Sequence, residues 1–203
     1  SEIPGCANDV ERYLHWCHAR TPLNGAILIG GMSTRMGRPK HLLRTAANLS
    51  WLEHQVHILS PLVAELVISG AGAVPDELGH LDRIADLDGV SGPLGGLAAL
   101  LRARPLSSWL IVACDMIMLS RASIEWLLLQ RRGGVHAVVP QNPRSGRLEP
   151  LFAWYDFRCL SAVDQLIEQG HQRFSGLAES ARVATPAIPD GLIAAWRNFN
   201  TPE

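Results

Sequence analysis

The chain has 203 residues, 47% of them hydrophobic and 18% charged, with a net charge of −1. That length suits one domain with a substantial core and is short for two, and the composition excludes a disordered or fibrous chain. The near-neutral balance gives no global argument for nucleic acid or an acidic membrane surface as a partner.

Residues 1–8 read as loose. Asn8 or Asp9 is placed to cap a short helix, because Val10, Tyr13, Leu14 and Cys17 recur at helical spacing before Thr21-Pro22 ends the pattern. Residues 1–23 are read as a partly helical N-terminal appendage, and residues 24–203 as a single domain. Gly25–Ile29 (GAILI) is a short apolar run closed by Gly30-Gly31, the pattern of a buried strand. A loop rich in Gly, Ser, Arg and Lys follows. Leu52, Val56, Leu59 and Val63 then mark a helix by their i, i+4, i+7 spacing. Glu65–Ser69 reads as a second strand and Arg83–Asp86 as a short third one. Gly92-Pro93-Leu94-Gly95-Gly96 turns into a helix ending near Arg102, and Trp109–Ala113 (WLIVA) is a strong strand. Ser120 caps a helix reaching Gln130. Strands are expected near His136–Val139 and Leu151–Tyr155, and helices near Phe157–Glu168 and Phe174–Ala181. Strands alternating with helices at this spacing predict an α/β domain with a mostly parallel sheet and helices on both faces.

The most informative segment is Gly30–Lys40. Glycines directly after a buried strand let the backbone turn sharply and approach a ligand, with free N–H groups aimed at phosphate oxygens. Arg35, Arg38 and Lys40 add positive charge, and no Asp or Glu occurs from Gly25 to Leu52. The local asymmetry asks for an anion. The loop is neither GxxxxGK followed by Ser or Thr nor GxGxxG, so it is not a Walker A loop or a dinucleotide fingerprint.

Asp115 stands just past the strand 109–113. A carboxylate at the carboxyl end of a parallel strand faces the crevice where open α/β sheets bind ligands. Its oxygens suit Mg²⁺, which is held by one or two carboxylates together with substrate phosphates. Asp86 also sits near the carboxyl end of its strand. The turn that follows it, Gly92 and Pro93 included, would let a base or ribose lie against the backbone; by itself it reads equally as a plain loop-to-helix turn. Cys114 reads as a small buried hydrophobe, since no particular His can be assigned beside it as a base. Cys6, Cys17, Cys114 and Cys159 form no CxxC pair, which fits a reducing compartment. With no apolar run of ~18–20 residues and no export signal at the N-terminus, a cytoplasmic protein without membrane or nucleic-acid partners is expected. His15 and His18 lack a visible completed ligand set and read as solvated. The segment Pro140–Gly146 is a flexible loop, either a lid or ordinary surface.

At this point the chain resembles a known family. ILIGGMSTRMGRPK is similar to the signature loop of nucleotidyltransferases with a glycosyltransferase-A-like Rossmann fold, and within them to the molybdenum cofactor guanylyltransferases. Asp86, Gly92–Gly96, Cys114-Asp115, Arg147–Tyr155 and the terminal Asn198-Phe199-Asn200-Thr201-Pro202-Glu203 agree in order. The resemblance implies a Rossmann-like three-layer α/β/α sandwich of the nucleotide-diphospho-sugar transferase type, its sheet mostly parallel but mixed, with one antiparallel strand near residues 151–155. It implies that Leu28, Ile29, Gly30 and Gly31 contact the nucleotide, that Lys40 and Arg35 meet its phosphates, that Asp86 helps hold guanine or ribose, that Asp115 binds Mg²⁺, and that Asn198 and Asn200 lie near the acceptor phosphate or metal. The implied partners are GTP, molybdopterin or molybdenum-molybdopterin, and molybdoenzymes or their chaperones. The implied reaction is attack of the acceptor phosphate on the α-phosphorus of GTP with release of pyrophosphate. Three departures keep a cytidylyltransferase or another NTP transferase on the same fold as an alternative: Pro39 precedes Lys40 where many guanylyltransferases carry Asp, Ser69-Gly70-Ala71-Gly72 stands where the family often has Asn, and Asp86 aligns only with one residue dropped before Gly92. A noncatalytic nucleotide-binding protein is the second alternative.

Overall fold

A computed structural model describes residues 20–30, 39–90, 92–171, 174–179 and 182–199. The expected N-terminal helix lies outside the described residues. A seven-stranded sheet runs through the centre in the order β3-β2-β1-β4-β6-β5-β7. Its strands are β1 (Leu23–Leu28), β2 (Leu66–Ser69), β3 (Arg83–Ile84), β4 (Ser108–Ala113), β5 (Ala137–Val138), β6 (Phe152–Tyr155) and β7 (Val183–Ala184). Strands β3, β2, β1 and β4 run parallel, and β5 pairs parallel with β7. Among the described residues only β6 runs against its two neighbours, β4 and β5, at the position the family resemblance implies.

Side-chain alternation divides the core between the two faces of this sheet. Ile27, Leu66, Ile68, Leu110, Val112, Phe152 and Trp154 point to one face. There they meet helices α1 (Trp51–Leu59) and α3 (Arg121–Leu129). Ala26, Val67, Trp109, Ile111, Ala153 and Tyr155 point to the other face, against α2 (Pro93–Ala103) and α4 (Leu160–Glu168). Because both faces are covered, β4 reads as a continuous apolar run and is buried throughout. The result is a three-layer α/β/α sandwich. No helix among the described residues is long and apolar enough to cross a membrane.

Local chemistry sets the helix ends. The Ser50 hydroxyl accepts from the Glu53 N–H at 3.1 Å, while the Glu53 carboxylate accepts from the Ser50 N–H at 2.7 Å, a reciprocal cap for α1. Ser120 caps α3 by accepting from the Ser123 N–H at 3.2 Å. Pro93 opens α2, where a missing N–H costs nothing, behind Gly92 at φ 86°.

Several expected elements are shorter or different. The first long helix stops at Leu59 rather than reaching Val63, and Ser60–Leu62 forms a 3₁₀ turn because Pro61 cannot continue the helical ladder. The third strand ends at Ile84, before Asp86. Phe174–Glu179 is a 3₁₀ helix, not an α-helix. Gly176 lies within it, where a Cβ would meet the Leu166 side chain at 2.5 Å, so close packing on α4 rather than helix propensity shapes the segment. Strand β7 and the 3₁₀ segment Asp190–Trp196 carry no periodic pattern and are additions to the elements expected.

Candidate active site

The carboxyl ends of the parallel strands converge on a cleft of about 440 Å³. Leu28 and Ala113 end β1 and β4 side by side, and Leu28 is also in register with Ser69 at the end of β2. The Cys114 N–H donates to the Leu28 carbonyl at 3.0 Å, which locks the exit of β4 to that of β1. The cleft is lined by Leu28 at the end of β1 and by Ile29 and Gly30 just past it, by Lys40, by Asp86 beyond β3, by Gly92 and Pro93 at the start of α2, and by Asp115. Segments far apart in the chain, from Leu28 to Leu151, thus share one rim. Gly31 and Arg35 lie outside the described residues.

Glycine shapes two parts of this rim. Gly30 turns away from β1 at φ +130°, a conformation that favours glycine, and nothing lies within 4 Å of where its Cβ would be. Gly96, on the second turn of α2, presents bare backbone: a Cβ there would lie 3.1 Å from Asp86 Oδ1 and 3.5 Å from Ser69 Oγ. Both polar groups therefore face the same small space against α2.

The central electrostatic feature is a contact between Lys40 Nζ and Asp115 Oδ2 at 3.0 Å, with side chains 23% and 16% exposed. This pair joins the end of the basic loop to the Asp115 carboxylate across the mouth of the cleft. Partial burial raises the Asp86 carboxyl above the usual carboxylate range. The Cys114 thiol is pushed up to about 12 by burial, with the nearby Asp115 charge adding to the effect. A thiol held neutral in this way is a poor nucleophile. Next to Lys40, the buried His41 ring donates from Nε2 to the Ala73 carbonyl at 2.7 Å. That bond ties the Lys40–Leu42 turn to the loop after β2. Burial lowers the His41 pKa from its usual 6.5, with the Arg83 charge acting in the same direction and the bond to Ala73 opposing them.

The C-terminal segment also reaches this site. Trp196 stacks on Phe152 at 4.4 Å and donates its indole N–H to the Phe152 carbonyl at 2.9 Å. Three residues later, the Phe199 N–H donates to the Asp115 carbonyl at 3.0 Å. Asn198 is therefore carried next to the Asp115 strand end, with an exposed side chain. Asn200 lies outside the described residues.

Lys40, Asp86 and Asp115 thus bring one cationic and two carboxylate groups to a single cleft. Asp115 offers carboxylate oxygens to a divalent cation. Among the described residues no group of three or more His, Cys, Asp or Glu side chains converges to hold a metal. A single carboxylate fits a cation that brings most of its oxygen ligands from bound phosphate. Sequence reasoning missed Ser69, Ala113 and Leu151 as lining residues and missed His41 as a brace. A small polar residue closing a buried strand was the available signal for Ser69; the others depend on tertiary approach.

The chain matches the family described as the MobA-like NTP transferase domain over residues 25–183. The chain belongs to this family. As a MobA-like NTP transferase it is a nucleotidyltransferase. It is 34% identical over 142 residues to a probable molybdenum cofactor guanylyltransferase of Pelotomaculum thermopropionicum, covering 70% of this chain and 67% of that protein. A relative of the same name in Opitutus terrae is 31% identical over 191 residues, covering 89% of this chain and 92% of its own. Among solved structures, molybdopterin-guanine dinucleotide biosynthesis protein A from Archaeoglobus fulgidus superposes with a TM-score of 0.73 at 23% identity, covering 88% of this chain and 93% of that one. At that identity the likeness speaks for the fold of this MobA-like transferase.

Proposed function

We propose that this transferase moves GMP from GTP to the phosphate of molybdopterin, with or without molybdenum, and so forms the guanine dinucleotide cofactor. The observation that carries the reading is the Lys40–Asp115 contact at the mouth of the cleft. It sets a cation for phosphate and a carboxylate for Mg²⁺ side by side on the edge where a strand-loop nucleotide site belongs. The name of the relatives, molybdenum cofactor guanylyltransferase, supports a guanylyl donor and a molybdenum-cofactor acceptor.

An oxygen of the acceptor phosphate attacks the α-phosphorus, and the bond to the β-phosphate oxygen breaks. Pyrophosphate leaves with the electron pair. The nucleophile is already ionised at neutral pH, so no strong general base is needed. Catalysis then reduces to placement and charge neutralisation. Lys40, with Arg35 and the N–H groups of the loop, holds the β- and γ-phosphates as negative charge develops on the leaving group. Leu28, Ile29 and Gly30 support the nucleoside on the end of β1. Asp86 accepts from base or ribose donors beside Gly92 and Pro93. Asp115 would hold Mg²⁺, which when bound would supply positive charge to the phosphate oxygens. Asn198 and Asn200 meet the acceptor phosphate. The reaction is set in the cytoplasm, with molybdoenzymes or their chaperones taking the product.

The test is a competition among the four nucleoside triphosphates with molybdopterin and Mg²⁺, reading pyrophosphate release. GTP should dominate. A preference for CTP or UTP rejects the guanylyl reading and leaves a cytidylyltransferase or another NTP transferase on the same fold in its place.

A further inference from the structure

Gln55 is a polar side chain where α1 calls for an apolar one. It lies in the stripe Leu52, Gln55, Val56, Leu59 that faces the sheet, and it is 0% exposed. Burying an amide without satisfying it fully is expensive, and its Oε1 has no hydrogen-bond partner among the described residues. Its Nε2, in contrast, is doubly engaged. It donates to the Ala113 carbonyl at 2.8 Å and to the Met116 carbonyl at 3.3 Å. Because both neighbours are acceptors, the NH₂ end of the amide must face them.

Those two carbonyls bracket Cys114 and Asp115. Both also accept backbone donors: Ala113 from the Met116 N–H at 3.1 Å, and Met116 from the Leu119 N–H at 3.2 Å. Neither would be orphaned if Gln55 were apolar. The amide is thus unnecessary for satisfying the turn, leaves an acceptor of its own unsatisfied, and ties both ends of the Asp115 turn to a rigid helix.

We infer that Gln55 is a positioning residue that fixes the Asp115 turn, and with it the carboxylate, against α1. The inference rests on the reading of Asp115 as the metal-holding group. It predicts that stability and turnover separate when the amide is removed. A merely structural Gln55 would lower both together.

The variants are Gln55→Met and Gln55→Leu, near in volume and lacking the amide. Each should unfold at the wild-type temperature or higher, because an unsatisfied buried acceptor is gone. The KM for GTP should stay within about twofold, while kcat falls about tenfold, since small misplacement at a reacting centre costs up to ~10²-fold. Mn²⁺ binding in the presence of α,β-methylene GTP, followed by electron paramagnetic resonance, should weaken about tenfold by the same loss of placement. Wild-type kcat and Mn²⁺ affinity in both variants would overturn the inference. So would a lowered unfolding temperature, or failure of both variants to fold. If wild-type protein transfers no GMP, the functional reading itself fails, and the Mn²⁺ titration still reports whether Gln55 places Asp115.

Discussion

Replacing Lys40 by Ala should have two effects of opposite sign. The Nζ lies 3.0 Å from Asp115 Oδ2, with both side chains mostly but not fully buried. At that separation and an effective dielectric of about 20, the gross attraction is about 5 kcal/mol. Most of it is offset by dehydration and lost side-chain entropy, which leaves about 1 kcal/mol net for a pair near the surface. The unfolding temperature should therefore move by only a few degrees. Turnover should fall far more, by about 10²–10³-fold, as expected when a preorganised donor to developing charge is removed. In the absence of nucleotide, however, Asp115 no longer shares its charge with an ammonium. Mn²⁺ alone should then bind Lys40→Ala more tightly than wild type, by up to about fivefold for ~1 kcal/mol. The assays are pyrophosphate release with GTP and molybdopterin, thermal unfolding, and Mn²⁺ titration. Turnover within about threefold of wild type, or Mn²⁺ affinity that drops in the variant, would refute this account of the pair.

Gly96→Ala should raise the KM for GTP about tenfold by steric displacement comparable to ~1 Å misplacement, because the new methyl would lie 3.1 Å from Asp86 Oδ1 and 3.5 Å from Ser69 Oγ. Its unfolding temperature should hold or rise, since alanine favours a helix interior; steady-state kinetics and melting curves together check this. Burial depresses the His41 pKa below 6.5, so its contribution to stability is full above that value and is lost as pH falls through 6.5 toward the folded-state pKa. His41→Gln, whose amide can still donate to the Ala73 carbonyl, should show a flatter loss of unfolding temperature on acidification than wild type. A thermal series from pH 8 to pH 5 reads the difference. With its thiol pushed up to about 12, Cys114 should resist iodoacetamide in the folded protein at pH 8, as peptide mass mapping would show.

Much of the fold was legible because buried parallel strands announce themselves. Gly25–Ile29 and Trp109–Ala113 are continuous apolar runs bounded by turn residues, and they became β1 and β4 within two residues. Ser120 is a side chain whose capping chemistry is local, so it could be read directly. The short pieces were not legible for a physical reason. Strand β7 has two residues, too few to show alternation, and exists because β5 offers it an edge. The Phe174–Glu179 segment takes its shape from contact with Leu166, a partner no local pattern reveals.

The candidate site divides in the same way. Lys40, Asp86, Gly92 and Asp115 stand out as charges and glycines at the ends of predicted strands, and the sheet brings them to one cleft. Gly96, His41 and Gln55 matter through what approaches them across the fold. In sequence, His41 is one of eight histidines and Gln55 an ordinary helix residue. Only their burial and their bonds to Ala73, Ala113 and Met116 mark them as braces of the loops that carry Lys40 and Asp115.

The most direct measurement follows the α-phosphate. GTP labelled at that phosphorus is incubated with Mg²⁺, molybdopterin and either wild-type protein or Asp115→Ala. The wild type should place label in a guanine dinucleotide and release one pyrophosphate for each transfer, while the variant, still folded, should transfer almost none. Label that stays in GTP with wild-type protein, or an Asp115→Ala variant that transfers at the wild-type rate, would contradict the account.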